Sequence, residues 1–494
     1  MTGISLSRIQ PTLLAVAFSF LMFSPLSAQN DGGGNNGGGN NNNGGGGGDG
    51  ITIETTDNSN DTTLIGQLPG AGVVVNAKGV LSVSRRTVTT DRLDKKRRRE
   101  AQAKLGAELA KRSDLRKVSL NRLEASVAKR IADQQPLAEE MLYLAGLTKI
   151  QYIFFYPDSN DIVLAGPAEG FMLDEMNRPI GIQTGKSVLQ LEDLVVALRT
   201  FGPDRKNVQT VGCSIDPTQD GLARMQRFLN SMAGRATPRD TRRIVKGLQE
   251  SLGLQVVTIN GISPNTHFAN ILVEADYRMK LIGIGLEKPP VNITSYVKRA
   301  SPSAVARNAM QRWYFVPNYD CVHVTDDGLA AELVGDGVKL VNANELVRAD
   351  GTRAKAATSD RAGRLFVDSF TKRYAELAKK EPVYAQLKNL IDMLIATAYI
   401  QEQDFYAQAD WDMEIFGNEN MMPVEIYAAP KQVETAVNAI WKNRTLMTPV
   451  GGGVHINARE AISAGRVQQD DGSIQKTHEN VELSQLADGQ WWWD

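Results

Sequence analysis

The stretch "DWDMEIF", residues 410–416, sets three carboxylates two residues apart. On a β-strand, Asp410, Asp412 and Glu414 would share one face while Trp411, Met413 and Ile415 took the other. Carboxylates gathered in this way hold a divalent cation, or supply the acid and base that cleave a sugar linkage. A half-exposed strand with no chemistry at all shows the same alternation. Of the four histidines, His267, His323, His455 and His478, no two stand at metal-ligand spacing, so no zinc site is expected. His323 is the histidine weighed as a partner for the carboxylates. Cys213 and Cys321 are the whole thiol inventory. They read as a disulfide or as two small buried thiols. Cys321 and His323, two apart on one expected strand, also have the spacing of a nucleophile and its base, but the flanking valines favour burial over reactivity. "TGKS", Thr184–Ser187, resembles the end of a phosphate-binding loop. The upstream glycine is Gly181, however, which leaves three intervening residues where four are needed. No serine sits in a nucleophile elbow. The expectation is therefore no cofactor, no nucleotide and no resident metal.

The elements that must carry these residues can be read from periodicity. "AGVVVNAKGVLSV", residues 71–83, is a hairpin closed at Asn-Ala-Lys-Gly. Charge-rich helical sequence follows to about Gln135. A second hairpin lies in "IQYIFFYPDSNDIVLAGPAEGF", residues 150–171. Helices over 191–201, 217–232 and 244–252 then alternate with strands ending at Ile215 and Ile259, a pattern of a sheet with covering helices. "THFANILVEADYRMKLIGI", 266–284, fits either a helix capped near Asn265 or a long strand ending in glycines, and the helix is preferred because the eleven residues Ile271–Leu281 exceed a usual strand and include Glu274, Asp276 and Lys280. Strands at Cys321–Thr325, Leu329–Val334 and Val338–Val341, joined by Asp-Asp-Gly and Gly-Asp-Gly, form an expected β-meander. The helix from Pro382 is apolar on most faces and should be buried. A helix over Lys431–Asn443 completes the set. The fold class is α+β (mixed α/β), with short hairpins and meanders packed against amphipathic helices. The expected segments are 71–135, a hairpin plus basic helical region; 136–290, a mixed α/β domain; 291–458, an α+β domain with the meander and buried helix; and 459–494, a polar disordered tail whose final Trp491, Trp492 and Trp493 read equally as a docking patch or as part of that disorder.

Ahead of this body, residues 1–28 have the parts of a secretory signal: Arg8, the apolar run Thr12–Phe23, and small residues ending at Ala28. Residues 29–70 form a disordered Gly/Asn-rich tether. Its core, 31–50, contains only Gly, Asn and Asp, and twenty such residues span roughly 25 Å. The chain should be exported: periplasmic, in the envelope or secreted. The whole sequence is nearly neutral, 55 basic against 56 acidic residues, which argues against nucleic acid as a partner. Charge is concentrated in Lys95, Lys96, Arg97, Arg98 and Arg99. Five consecutive charges point all round a helix, so they read first as a solvated face and second as a dock for an anionic surface or another envelope protein.

The strings "DIVLAGPAEGF", "VGCSIDPTQDGLARMQRFL", "HFANILVEADYRMKLIGIGLE", "DGLAAELVGDGVKLV" and "PVYAQLKNLIDMLIA" resemble a family of exported planctomycete proteins known only as a domain of unknown function. The likeness spans about residues 70–455, and it transfers no activity and no site residues. Two functions follow as expectations. The preferred one is a non-enzymatic binding or structural protein of the envelope. The alternative is an extracytoplasmic, metal-assisted hydrolase built on Asp410, Asp412 and Glu414.

Overall fold

The structure, a computed structural model, describes residues 72–494 apart from 84–90, 206–207, 233–236, 301–308, 336, 348–352, 356–360, 439, 443–444, 448–451, 480–482, 484–485 and 488. The signal and tether readings lie outside the described residues. Strands follow in the order β1 (Val73–Val75), β2 (Val80–Val83), β3 (Ser113–Ser119), β4 (Tyr152–Tyr156), β5 (Asp161–Ala168), β6 (Phe171–Leu173), β7 (Pro179–Gly181), β8 (Val211–Asp216), β9 (Gln255–Asn260) and β10 (Ala309–Pro317). They continue with β11 (Val322–Val324), β12 (Ala330–Leu333), β13 (Val338–Val347), β14 (Arg353–Lys355), β15 (Gln432–Val433), β16 (Ile440–Lys442), β17 (Thr445–Met447), β18 (Gly452–Ile456), β19 (Gln468–Gln469) and β20 (Trp492–Trp493).

Two sheets organise the body, and with the helices they make it α+β. One has nine strands in the order β1-β2-β15-β9-β8-β18-β10-β13-β14 and the other seven, β19-β11-β12-β4-β5-β3-β20. Strands from 71–135, 136–290 and 291–458 are interleaved in both. Both expected hairpins form, Val73 facing Val83 and Tyr152 facing Ala165. The helix His267–Ile284 starts at Thr266, whose side chain accepts from the Ala269 N–H, and ends on Gly285 in the left-handed region. It packs on β8 and β18 on one side and on the helix Pro382–Glu402 on the other, which in turn covers the helix Leu191–Thr200. Being enclosed on most sides, both central helices are apolar nearly all round, as the sequence of the second indicated.

Four expectations are corrected. The charge-rich run to Gln135 is not all helix: Ser113–Ser119 is a strand between β5 and β20, with Arg116 to Ser119 buried on both faces, so its non-local partners override helical spacing. The meander is broken, because only β11 and β12 pair with each other while β13 crosses to the other sheet and lies along β10 from Ala309↔Leu346 to Pro317↔Val338. No helix runs through the described residues of Lys431–Asn443. Gln432 and Val433 pair instead with Val80–Leu81 and with Val256–Gln255, filling the gap between β2 and β9. The tail 459–494, expected disordered, carries the helix Ser473–Glu479 and β20, and buries Ile474, Trp491 and Trp493. Its polar average hides these anchors. A buried tryptophan contributes on the order of 4 kcal/mol of apolar burial, enough to order its neighbours.

Candidate functional site

The residues of 410–416 do not form a strand. Asp410 and Met413 have φ of 50° and 57°, and the segment turns on itself. The alternation survives, with Trp411, Met413, Ile415 and Phe416 buried and Asp410, Asp412 and Glu414 exposed. What fixes the turn is Glu124, a buried carboxylate on the helix Leu120–Ala132. It accepts from Trp411 Nε1 and from the backbone N–H groups of Ile415 (2.9 Å) and Phe416 (2.7 Å). The acidic ladder is thus the outer rim of a turn whose chemistry is spent inward. Among the described residues no group of three or more His, Cys, Asp or Glu side chains is placed to hold a metal ion.

His323 lies on β11, opposite Glu332 of β12 and Gln468 of β19. The disulfide considered for the two cysteines is not formed. Cys213 on β8 of the nine-stranded sheet and Cys321 just before β11 of the seven-stranded one are free and buried. Burial pushes the Cys213 thiol well up and that of Cys321 up to about 12, the opposite of an activated nucleophile. The Thr184–Ser187 segment wraps a carboxylate of its own chain. Glu169, buried, accepts from the N–H groups of Gln183 and Thr184 and from the Thr184 hydroxyl, so the donors at the start of the loop are spent on a carboxylate of the chain itself.

Three ionic clusters in the interior are built by residues whose pairing the sequence did not reveal. The first joins the starts of two helices. His267 Nδ1 lies 2.9 and 3.0 Å from the Asp193 oxygens, and since a carboxylate only accepts, Nδ1 carries the hydrogen. Beside them the Tyr427 hydroxyl donates to Glu192 at 3.0 Å. Burial raises the Glu192 carboxyl, the neighbouring Asp193 adds to the rise, and His267 and the Tyr427 hydroxyl oppose it. Burial and Glu192 together raise the Tyr427 phenol. An oriented Asp–His pair is the arrangement of a general base. Here, however, the His267 side chain is fully enclosed, and it braces the Leu191–Thr200 helix against the His267–Ile284 helix.

The other two clusters hang from the His267–Ile284 helix. Glu274 accepts from Arg178 Nη2 at 2.7 Å and from the Gly72 N–H at 2.8 Å, both charged side chains being almost fully enclosed. One turn on, Arg278 donates to Glu287 and Glu381, each at 2.7 Å. Asp276 pairs with Lys280 at 2.8 Å, and the same ammonium reaches the carbonyls of Ile215 and Gly452. Burial pushes the Asp276 carboxyl up to about 6 against the pull of Lys280. The visible signal was "EADYRMK": four charges, two apart, inside an apolar helix with no polar face. Such charges must find partners inside the fold.

Open concavity lies elsewhere, at the edge of the body. A recess of about 250 Å³ is lined by Arg97, Glu100, Ala101, Lys104, Leu105, Glu139, Tyr143, Phe171, Met172 and Leu173. Its aromatic floor is the edge-to-face pair Tyr143–Phe171, with centroids 5.1 Å apart and planes at 66°. The helix Asp91–Lys104 forms one wall, to which the basic run contributes Arg97, and the run divides as a helix requires. Arg98 turns inward to Asp94 and to the carbonyls of Gly181 and Ile182, and Arg97 faces Glu175, while Lys95, Lys96 and Arg99 are exposed. Ala101 and Leu105 of the same wall pack on Met172, Ile180 and Ile182, a small apolar cluster separate from the main core. A second recess, about 370 Å³, is lined by Glu108, Lys111, Glu140 and the segment Gly489–Asp494. Neither recess is lined by Asp410, Asp412, Glu414 or His323.

The family described as a protein of unknown function (DUF1598) has a model that matches residues 213–296. That stretch runs from β8 through the His267–Ile284 helix and carries Glu274, Asp276, Arg278 and Lys280. It supports a domain of unknown function there. No curated protein and no solved structure matches the chain.

Proposed function

We propose that the chain is an exported, envelope-associated protein that acts by binding, and that a partner segment seats in the recess between the helix Asp91–Lys104 and the β6–β7 hairpin. The observation that carries this reading is the make-up of that recess. An aromatic floor of Tyr143 and Phe171 and an exposed Leu173 lie within a rim of two cations, Arg97 and Lys104, and two carboxylates, Glu100 and Glu139. Apolar surface with a few convergent charges is the usual composition of a recognition pocket. It suits an extended protein segment with one large apolar side chain flanked by charges of both signs. Two observations support a binding role over an acid–base one. The most base-like pair, Asp193 and His267, is closed inside the body, and the acidic rim of 410–414 is spread along an exposed turn.

The test uses a photo-crosslinking residue at Leu173 in producing cells, with the same residue at the exposed Ile426 as control, followed by fractionation and mass spectrometry. The expected result is a discrete crosslinked envelope protein from position 173, absent from 426 and lost when Arg97 and Lys104 are both changed to Glu. Identical patterns from 173 and 426 would remove the recess as the contact. A full-length product among cytosolic enzymes would remove export.

A further inference from the structure

β20 sits on a receptor whose own residues, Glu108, Leu109, Lys111, Arg116 to Ser119 and Ala145, all lie outside the tail. Arg116 on β3 is fully enclosed, and its guanidinium is held by backbone carbonyls. Nη1 donates to Leu109 (3.3 Å) and Ala145 (2.7 Å), and Nη2 to Glu108 and Lys111 (both 3.1 Å). Nε (2.8 Å) and Nη2 (3.2 Å) then face outward along the strand edge and grip the Asp494 carboxylate from two points. The same guanidinium lies 4.6 Å from the Trp492 ring centroid. Beside it the edge of β3 away from β5 offers its ladder. The Ser119 N–H donates to the Trp491 carbonyl at 2.9 Å, Val118 faces Trp492 and Lys117 faces Trp493. The chemistry of the ligand is on display: two or three aromatic residues in extended form, then a carboxylate.

We propose that two copies of this chain exchange this segment, each seating its Trp491–Asp494 on the β3 edge of the other. Edge-strand addition is a common recognition mode, and a swapped strand keeps its contacts with the β3 edge in trans as in cis, so the cost beyond association is the release of Leu483 and Leu486 from the apolar cluster around Phe154 and Ile474 as the linker extends. The two seats are identical, so the exchange closes on itself with two-fold symmetry. Reach is sufficient. The helix before the tail ends at Glu479, and residues 480–490, fully extended, cover roughly 35 Å. A folded body of this size has a radius of gyration of only about 22 Å. The surface is distinct from the recess at Leu173 and independent of the reading built on it.

The experiment uses full-length chains carrying single substitutions, Val118→Cys in one and Trp492→Cys in the other. The Ser119–Trp491 hydrogen bond makes Val118 and Trp492 a non-hydrogen-bonded pair, whose Cα atoms in such ladders lie about 4.5 Å apart, within reach of a disulfide. Neither variant can form this bond within itself, and the native Cys213 and Cys321 are buried. Mixed, concentrated and mildly oxidised, the two should give a covalent heterodimer that neither gives alone. Adding Asp494→Ala to the Trp492→Cys chain should lower the yield about tenfold. The unmodified chain should shift from monomer to dimer in sedimentation velocity as its concentration rises. A mixture that yields no heterodimer, while the double variant Val118→Cys/Trp492→Cys closes within one chain, overturns the proposal. So does an unmodified chain that stays monomeric throughout.

Discussion

Changing Glu274 to Ala strips a buried guanidinium of its counter-charge. Arg178 would keep one hydrogen bond, from Nη1 to Gln386 at 2.8 Å, and lose the 2.7 Å contact that neutralises it. The Gly72 N–H would lose its acceptor too. Arg278 is spared, since Glu287 and Glu381 remain within 2.7 Å of it. Removing one member of an enclosed ion pair typically costs about 3–5 kcal/mol, and an orphaned backbone donor about 1 kcal/mol more. Replacing both members with apolar residues of similar volume, Arg178→Met with Glu274→Leu, removes the stranded charge and should return the chain to within about 2 kcal/mol of the starting stability. Urea titrations followed by far-ultraviolet circular dichroism on the wild type, Arg178→Met, Glu274→Leu and their double variant complete a cycle, with Glu274→Ala measured beside it. The expected pattern is two severely destabilised singles and a recovered double. A Glu274→Ala loss below about 1 kcal/mol, or a double variant as unstable as either single, would refute this account.

The Asp276 carboxyl gives a pH prediction. Its folded value of about 6 stands above that of a carboxyl in the unfolded chain, near ~3.9, so the folded state takes up the proton first. Its contribution to stability is full below the unfolded value and is lost as pH rises through about 6. Between pH 6 and 4 the wild type should therefore gain relative to Asp276→Asn, by up to about tenfold in the folding equilibrium per pH unit. Urea midpoints that move in parallel for the two proteins would contradict it. In the basic run, Arg98→Ala should cost about 1–2 kcal/mol and speed hydrogen exchange over 91–104, because Arg98 ties that helix to the Ile182 carbonyl. Lys95→Ala and Arg99→Ala, at exposed positions, should change stability by less than about 0.5 kcal/mol.

What the sequence made legible was local. The Asn-Ala-Lys-Gly turn between Val75 and Val80, the Pro-Asp-Ser-Asn-Asp turn between Tyr156 and Ile162, and the long apolar helices from His267 and Pro382 each have their signals within a few residues. Partner choice was not legible. Val338 to Val341 reads as a strand in isolation, yet nothing nearby says that it leaves Leu329–Val334 for β10. Val433, Val437, Ile440 and Trp441 match helical spacing, but Val433 goes to a gap between β2 and β9, strands far away in the chain. The ionic clusters were half visible. Glu274 and Asp276 stand out in an apolar helix, while Arg178 is 96 residues from its partner and Gly72 is 202. The acidic ladder misled because alternating burial is not unique to strands. A turn around Glu124 produces it equally well.

The position of β18 has a consequence for how the protein is made. It fills the middle of the nine-stranded sheet, antiparallel to β8 and parallel to β10, so neither half of that sheet can join the other before residue 456 has emerged. At a ribosomal pace of roughly 5–20 residues per second, the interval of about 240 residues after β8 lasts some ten to fifty seconds. Throughout it the β8 edge lies unsatisfied, joined once residue 317 has emerged by that of β10, and each is a template for mispairing with a neighbouring polypeptide. Biogenesis of this protein should therefore depend on a holding chaperone, and a message truncated shortly before codon 452 should yield aggregate rather than a smaller folded product.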